Sequence, residues 1–387
     1  MNGGGNRPAA RVLAVAGDAG GAAALVSVLR RMKEAAGRWE IQVLAYRQAR
    51  TVFAEAALAF HELGERADEE GAGRWFKDFR PDVLLTATSV NGVDWEKRMV
   101  AESRRSGIPS LAVLDFWSNY RARFADERDR LAFLPDRIAV MDDWARTEMV
   151  ELGFPADRLV VTGQPAFDEW AERKAGEEGE AVAVRVRHAA DDVRHKLVLF
   201  LSQPISDFYS SPALRARHPG YSEAEVFHTA AEALEQLARK RDLHITLLVR
   251  PHPRETWSLA PEGALSAHVK LARVDRDPIR SLLMASDVAV GMTTVLLMEA
   301  CFLGCVTVSM QPGLRGPDIL PANRMGMTFS VYDPADAESV LATALLDDRA
   351  RVEKKRAMAE ARPAQGSARR VLEEIERLPN CRRIEKP

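Results

Sequence analysis

The sequence predicts an α/β protein built from two doubly wound, Rossmann-like domains facing across a cleft. Three observations carry that expectation. Short apolar runs alternate with helical stretches along almost the whole chain, the pattern of a parallel sheet with crossover helices. One segment, Asp287 to Met310, spells out a complete strand–turn–helix–strand unit. It has an apolar run ending at Gly291, the turn Met292-Thr293-Thr294, a helical body from Val295 to Leu303, a stop at Gly304 and a second apolar run from Val306. Finally, 387 residues exceed what one ordinary core covers, and a charged, poorly periodic stretch from Glu169 to Asp192 divides the alternation into halves.

In chain order, Met1 to Ala10 is Gly- and Asn-rich without an apolar stretch, and reads as a disordered lead-in. Arg11–Ala16 is the first strand, followed by Gly17-Asp18-Ala19-Gly20-Gly21 and a helix to about Ala36. The glycine spacing departs from the dinucleotide fingerprint and no acid closes the next strand, Ile41–Ala45, which argues against a nicotinamide cofactor. Further strands are expected near Phe60 and over Asp82–Ala87, Ser110–Leu114, Arg137–Met141 and Leu159–Thr162, with helices between them. The aromatic and polar loop Asp115 to Arg123 leaves one of these strands.

Gly163-Gln164-Pro165 breaks the pattern. The second half expects strands at Lys196–Leu201, His244–Val249, near Val269, at Asp287–Gly291, Val306–Met310 and Met327–Val331. Ser202 to Ser222 is long for a connector and suits a lid or wall. Asp348 to Glu376, rich in Arg, Lys, Ala and Glu, reads as solvated helices. The expected domains are 1–165, an acceptor side, and 193–350, a nucleotide side. Residues 166–192 form a linker, and helices over 351–387 can pack back toward the first domain.

Composition narrows the function. Hydrophobic residues are 47% and charged residues 28%, ordinary for a globular protein. The net charge of −2 gives no basic field for nucleic acid or a membrane surface. No apolar run reaches membrane-spanning length. Cys301, Cys305 and Cys381 are spaced unlike a zinc site and read as buried, reduced thiols, which fits the cytoplasm. No internal repeat of solenoid length is visible.

Ligands of doubly wound sheets bind at the C-terminal ends of strands. The unusual polar clusters fall there: Asp18, Asp115 to Arg123, Gln203, Arg250-Pro251-His252-Pro253-Arg254-Glu255, and Thr293-Thr294. Free N–H groups and the positive end of the helix starting at Val295 suit the Thr293-Thr294 turn to a phosphate. Glu299 is the only acid of that helix. Thr294 also reads as a helix cap, Glu299 as a solvent-facing or Arg-paired acid, His252 as a strand-end residue and Arg254 as a surface ion pair.

With these residues in view, the chain resembles the two-Rossmann, GT-B type nucleotide-sugar enzymes. Val161-Thr-Gly-Gln-Pro-Ala-Phe-Asp168 looks like the end of the first domain of non-hydrolysing UDP-N-acetylglucosamine 2-epimerases and many glycosyltransferases. Arg250-Pro-His-Pro253 is similar to an element of CDP-glycerol glycerophosphotransferases and capsule-type transferases, and Asp287 to Gly304 to the family's nucleotide-binding unit. The resemblance implies that Arg250 and His252 contact a diphosphate, Thr293 and Thr294 hold phosphate, and Glu299 bonds ribose hydroxyls. Gln203 is expected as a further donor-side contact. Departures exist. The 2-epimerases carry a His-Arg-Arg-Glu-Asn element and a Ser-Gly-Gly turn where this chain has Arg-Pro-His-Pro-Arg-Glu and Met292-Thr293-Thr294, which disfavours epimerisation. The turn matches the Tyr-Ser-Ser of CDP-glycerol enzymes only in part, and their basic surface is not evident.

The expected activity is therefore a metal-independent glycosyltransferase, or a related group transferase, taking a UDP- or CDP-type nucleotide-sugar and an unknown acceptor. It needs no other cofactor and belongs to polysaccharide or glycoconjugate synthesis. A 2-epimerase-like enzyme and an inactive nucleotide-binding or assembly protein are the alternatives. No Asp-x-Asp occurs in a suitable loop; Asp142-Asp143 and Asp191-Asp192 stand at helix starts. Asp18 is the first candidate for the general base and Asp115 the second, although either also suits a cap or turn. On the acceptor side Gly20 allows close approach, while Trp117, Tyr120 and Arg121 suit a sugar or an anionic acceptor and equally suit packing. The oligomeric state is not fixed, and a homodimer is one arrangement left open.

Overall fold

The computed structural model describes residues 9–35, 37–168, 176–188, 194–210, 215–216, 218–252, 255, 263–360 and 366–382. The chain divides into two compact units, Met1–Glu169 with Pro363–Pro387, and Trp170–Arg362. Arg254, Asp191, Asp192 and the lead-in 1–8 lie outside the described residues.

The described residues of the first unit hold seven parallel strands: β1 (Ala10–Ala16), β2 (Trp39–Ala45), β3 (His61–Glu62), β4 (Val83–Thr86), β5 (Ser110–Val113), β6 (Arg137–Val140) and β7 (Leu159–Val161). They lie in the order β3-β2-β1-β4-β5-β6-β7. The central strands are buried throughout, as their continuous apolar runs require when helices cover both faces. Winding reverses between β1 and β4, so the chain leaves their C-terminal ends in opposite directions and opens a crevice there. Gly17 to Gly21 and Thr88 to Asn91 line that point.

The second unit has strands β8 (His195–Leu201), β9 (His244–Arg250), β10 (Gly263–Ala264), β11 (Val269–Arg273), β12 (Val288–Gly291), β13 (Thr307–Met310) and β14 (Phe329–Val331). Their order is β10-β11-β9-β8-β12-β13-β14, and all pairs except β10 with β11 are parallel. The reversal here falls between β8 and β12, where Ser202-Gln203 and Met292 to Thr294 emerge. Helix Glu223–Arg241 begins at a capping box of Ser222 and Glu225 and buries Val226, Phe227, Leu234 and Leu237 against this sheet. Residues 205–208 of the expected long loop form a short helix, and its positions 211–214 and 217 are outside the described residues.

Two expectations about the ends of the units are corrected by packing. Within the stretch read as a linker, Glu177–His188 is a helix that buries Ala181 and Val184 against helix Ile279–Ala285. Arg280 pairs with Glu177 at 2.6 Å, and Ser281 donates to Glu180 at 2.9 Å. The stretch reads from the sequence as an exposed helix or a linker; it is a helix, and one face of it is buried. Nor are the C-terminal helices all solvated. Asp348–Glu360 buries only Met358, but Ser367–Glu376 turns Ala368, Val371 and Ile375 into the first unit's core.

That last helix explains the Gly163 to Asp168 motif. The Asp168 carboxylate accepts the N–H groups of Ser367 and Ala368 at 3.0 and 2.8 Å, capping a helix 200 residues away. Arg370 donates to the Thr162 carbonyl at 2.8 Å. Gly163 has φ +84°, and a β-carbon there would overlap the Ser367 hydroxyl, so glycine is required on both counts. Cys301, Cys305 and Cys381 are buried and unpaired as disulfides, and burial pushes each thiol up to about 12. Among the described residues no helix is long and apolar enough to cross a membrane.

Candidate functional site

Each unit gathers polar side chains at its own switch point. In the first, Asp18 ends the turn after β1 as the N-cap of helix Ala19–Glu34, yet its side chain makes no cap hydrogen bond. Its Oδ1 instead accepts from Asn91 Nδ2 at 2.8 Å, and its Oδ2 from the Val90 N–H at 3.3 Å. The carboxylate is thereby drawn across to the loop after β4. Asp115 leaves β5 and pairs with Arg123, itself nearly buried, at 2.5 Å, and accepts from the Thr88 hydroxyl at 3.2 Å. Gln164 donates to the Asp115 carbonyl at 2.5 Å. A β-carbon on Gly20 would come within 2.7 Å of Asp115 Oδ2, so this glycine lets the helix start approach the carboxylate.

Behind them lies a buried network that the sequence reading did not find. The Glu96 carboxylate accepts from the hydroxyls of Ser89, at 2.5 Å, and Tyr46. Tyr46 in turn lies 3.3 Å from Asn91 Nδ2. Burial pushes Glu96 up to about 7 and raises the Tyr46 phenol beyond its ordinary range. The Ser89-Val90-Asn91 run after an apolar strand was the available signal.

The remaining acceptor-side candidates make contacts of the packing kind. Trp117 is buried, stacks on Phe167 at 6.2 Å and donates to Asp142 at 2.7 Å. Tyr120 is buried and donates to Glu148 at 2.8 Å. Arg121 donates to the Leu152 carbonyl at 2.7 Å and pairs with Asp129 at 2.9 Å. Asp142 caps its helix through the Ala145 N–H.

In the second unit the turn Met292 to Thr294 is fastened from both sides. Ser309 on β13 donates to the Met292 carbonyl at 2.7 Å. Gln203, at the tip of β8, accepts through Oε1 from the N–H and hydroxyl of Thr293 at 3.1 and 3.3 Å. Buried Tyr221 contacts Thr293 and donates to Gln311 at 3.3 Å. Thr294 caps helix Val295–Phe302 by accepting from the Leu296 N–H at 3.3 Å. The cap and the phosphate reading are compatible, because the accepting hydroxyl keeps its own proton to donate.

Glu299 is only 8% exposed and its Oε2 has no hydrogen-bond partner among the described residues. Burial pushes its pKa up to about 8, against a smaller opposing effect of Arg280. It is not solvent-facing, and among the described residues it makes no ion pair, while Arg280 pairs with Glu177. A buried carboxylate oxygen without a donor is costly and calls for an explanation.

At the tip of β9, Arg250 is half-buried and spends Nη1 on the carbonyls of Val274 and Asp277, at 2.6 and 3.1 Å. His252 follows it. Its N–H donates to Glu255 at 2.6 Å, and the other oxygen of Glu255 accepts from Ser202 at 2.5 Å. Glu255, which the sequence reading did not single out, therefore ties the β9 tip to the β8 tip. In the order β9-β8-β12, the His252 and Thr293 segments flank Gln203, two strand spacings or roughly 10 Å apart. Among the described residues no group of three or more His, Cys, Asp or Glu could hold a metal ion.

Neither a family model nor a curated protein matches this sequence. Solved structures do match its fold. UDP-GlcNAc 2-epimerase from Neisseria meningitidis bound to UDP-GlcNAc aligns with TM-score 0.66 at 13% identity, over 95% of this chain and 100% of that one. MnaA from S. aureus with UDP gives 0.66 at 12%, over 98% and 99%. Anabaena HepE in complex with UDP gives 0.61 at 13%, over 96% and 100%. The chain has the GT-B fold. At these identities the likeness is one of fold, and the switch-point clusters of this GT-B chain stand on their own geometry.

Proposed function

We propose that this chain is a nucleotide-sugar transferase, a glycosyltransferase that binds a UDP- or CDP-type donor on its second unit and works without a metal ion. The observation that carries the reading is Glu299: a buried carboxylate with a partnerless oxygen, on the helix whose N-terminus presents Thr293 and Thr294. A nucleoside diphosphate answers both features. Its ribose hydroxyls supply O–H donors to the carboxylate, whose Oε2 lacks one, and its phosphates meet the N–H groups and hydroxyls at the helix start. Gln203 turns its amide oxygen to Thr293, which leaves Nε2 as a donor for the same anion. His252 and Arg250 extend the donor set, with Arg250 acting mainly through its charge, given its hold on two carbonyls.

In the transfer step Asp18 takes the proton of the acceptor hydroxyl, that oxygen bonds to the anomeric carbon, and the bond to the diphosphate breaks. Asp115, neutralised by Arg123, contributes orientation rather than net charge. The UDP and UDP-GlcNAc named with the structural neighbours make these the first ligands to try.

A second reading, a 2-epimerase-like enzyme, is favoured by the epimerases among the structural neighbours. The test is direct. Thermal shift with UDP, CDP and their sugars should show stabilisation, and Glu299→Gln should reduce it; no stabilisation by any nucleotide would leave only an assembly role for the fold. UDP-GlcNAc incubated without acceptor should stay intact under the transferase reading, and accumulation of the manno epimer would replace that reading with epimerisation.

A further inference from the structure

Helix Trp95–Arg105 begins with an acid turned inward. Glu96 is 5% exposed and its carboxylate is held by two neutral hydroxyls, those of Ser89 and Tyr46. Burying a carboxylate among neutral partners costs stability that a Gln or Met at this position would not. The arrangement therefore points to a use for the charge.

The hydrogen bonds lead to Asp18. Val93 donates its N–H to Asn91 Oδ1 at 3.0 Å, which fixes the amide so that Nδ2 faces both Asp18, at 2.8 Å, and Tyr46 Oη, at 3.3 Å. Arg47 pins the same loop through the Asn91 carbonyl at 2.6 Å. The Tyr46 ring is pressed on the turn that carries Asp18, since a β-carbon on Gly17 would overlap it. When Glu96 is ionised, Tyr46 must donate to it, and Tyr46 Oη is then free to accept from Asn91. When Glu96 is protonated, Tyr46 can turn its proton to Asn91 Oδ1, 3.5 Å away, and the chain reverses. An amide carries no proton along such a chain, so what passes through Asn91 is orientation and charge.

We propose that Glu96 is a positioning residue for Asp18, acting through Tyr46 and Asn91 to hold that carboxylate toward the loop after β4. This rests on the reading of Asp18 as the base. The groups facing Glu96 are Tyr46 from the end of β2, Ser89 and Asn91 from the loop after β4, and Asp18 from the turn after β1, with Arg47 behind Asn91. On its own helix, Asp94 and Lys97 are occupied with each other at 3.0 Å. The negative charge of Asp18 adds to the burial that raises Glu96.

The test uses the full chain and four forms: unsubstituted, Glu96→Gln, Tyr46→Phe and Asp18→Asn. Infrared titration of the protonated-carboxyl band should show a group leaving with a midpoint near 7, absent in Glu96→Gln and shifted down in Asp18→Asn. With UDP-GlcNAc as donor and glucose as the trial acceptor, the pH profile of kcat should carry an inflection at the same midpoint. Glu96→Gln and Tyr46→Phe should each remove that inflection and lower kcat about tenfold, with KM little changed. Tyr46→Phe keeps the ring on Gly17 and removes only the hydroxyl, so it decides the matter if Glu96→Gln does not fold. A midpoint unmoved by Asp18→Asn, or a Tyr46→Phe profile identical to the parent, overturns the proposal. Should UDP-GlcNAc be neither bound nor turned over, the functional reading fails while the infrared shift still decides this inference.

Discussion

The two units share one architecture and differ in how their switch points treat polar groups. In the first, the acids are satisfied from within: Asp115 by Arg123 and Thr88, Asp18 by Asn91 and a backbone N–H, Glu96 by two hydroxyls. In the second, Glu299 is buried with an oxygen that nothing described satisfies, beside a helix start whose donors are only partly used. The difference teaches where to look for binding and where for chemistry. A network closed on itself is preorganised and holds side chains in one geometry. A buried unpaired group is a cost in the folded chain that a ligand of matching chemistry removes.

The largest effect expected from that contrast is on turnover. Asp18→Asn should lower kcat by about 10² to 10⁴, the usual contribution of a general base, and leave UDP affinity by calorimetry unchanged. Weakened UDP binding in this variant would break the division of labour between the units. Next comes Glu299→Gln, where two measurements should move in opposite directions. UDP affinity should fall about tenfold or more, while urea denaturation at pH 9, where Glu299 is ionised, shows the unliganded chain more stable by about 1–3 kcal/mol, because the substitution removes an uncompensated buried charge. Loss of stability instead would mean that Glu299 is already satisfied.

The pH dependence sharpens the same contrast. Glu299 and Glu96 titrate near 8 and 7 in the folded chain, above the ordinary range for glutamate. Between that range and these values the folded state holds protons that the unfolded state has lost. Both groups therefore lower stability as pH rises from about 4.5, each by up to about 1.4 kcal/mol per pH unit, and the effect levels off above the folded values. Chemical denaturation from pH 5 to 9 should show this decline, flattened at its upper end by Glu299→Gln and at its lower end by Glu96→Gln. The smallest effect is at the helix start. Thr293→Val removes one donor and should weaken UDP about fivefold, whereas Thr294→Ala removes a cap and should cost about 1 kcal/mol of stability. If Thr294 proved the larger contributor to UDP binding, its hydroxyl would belong to the ligand more than to the helix.

Much of this was legible along the chain. The strand–turn–helix–strand unit around Thr293 and Thr294 is local, and its boundaries at Gly291 and Gly304 follow from turn and cap chemistry. That the Glu177–His188 stretch is packed rather than an exposed helix or linker was not legible, because its polar groups bind Arg280 and Ser281, about a hundred residues away. Trp117, Tyr120 and Arg121 suit an acceptor and packing equally from the sequence, because aromatic and cationic residues have the same signature whether they meet a sugar or a neighbouring helix; in the structure they make packing contacts.

By itself, then, the sequence determined the alternation of apolar strands and helices, the strand C-termini where polar residues gather, and Asp18 and Thr293 as residues placed there, with Glu299 on the helix that follows. Periodicity and turn preference act over a few residues, so they can be read without the fold. Tertiary structure alone decided which carboxylates are paired, which way Gln203 and Asn91 present their amides, and that Asp168 caps a helix at the far end of the chain. Those outcomes depend on burial and on partners brought together from distant segments, and desolvation is a property of the packed interior that no local pattern carries.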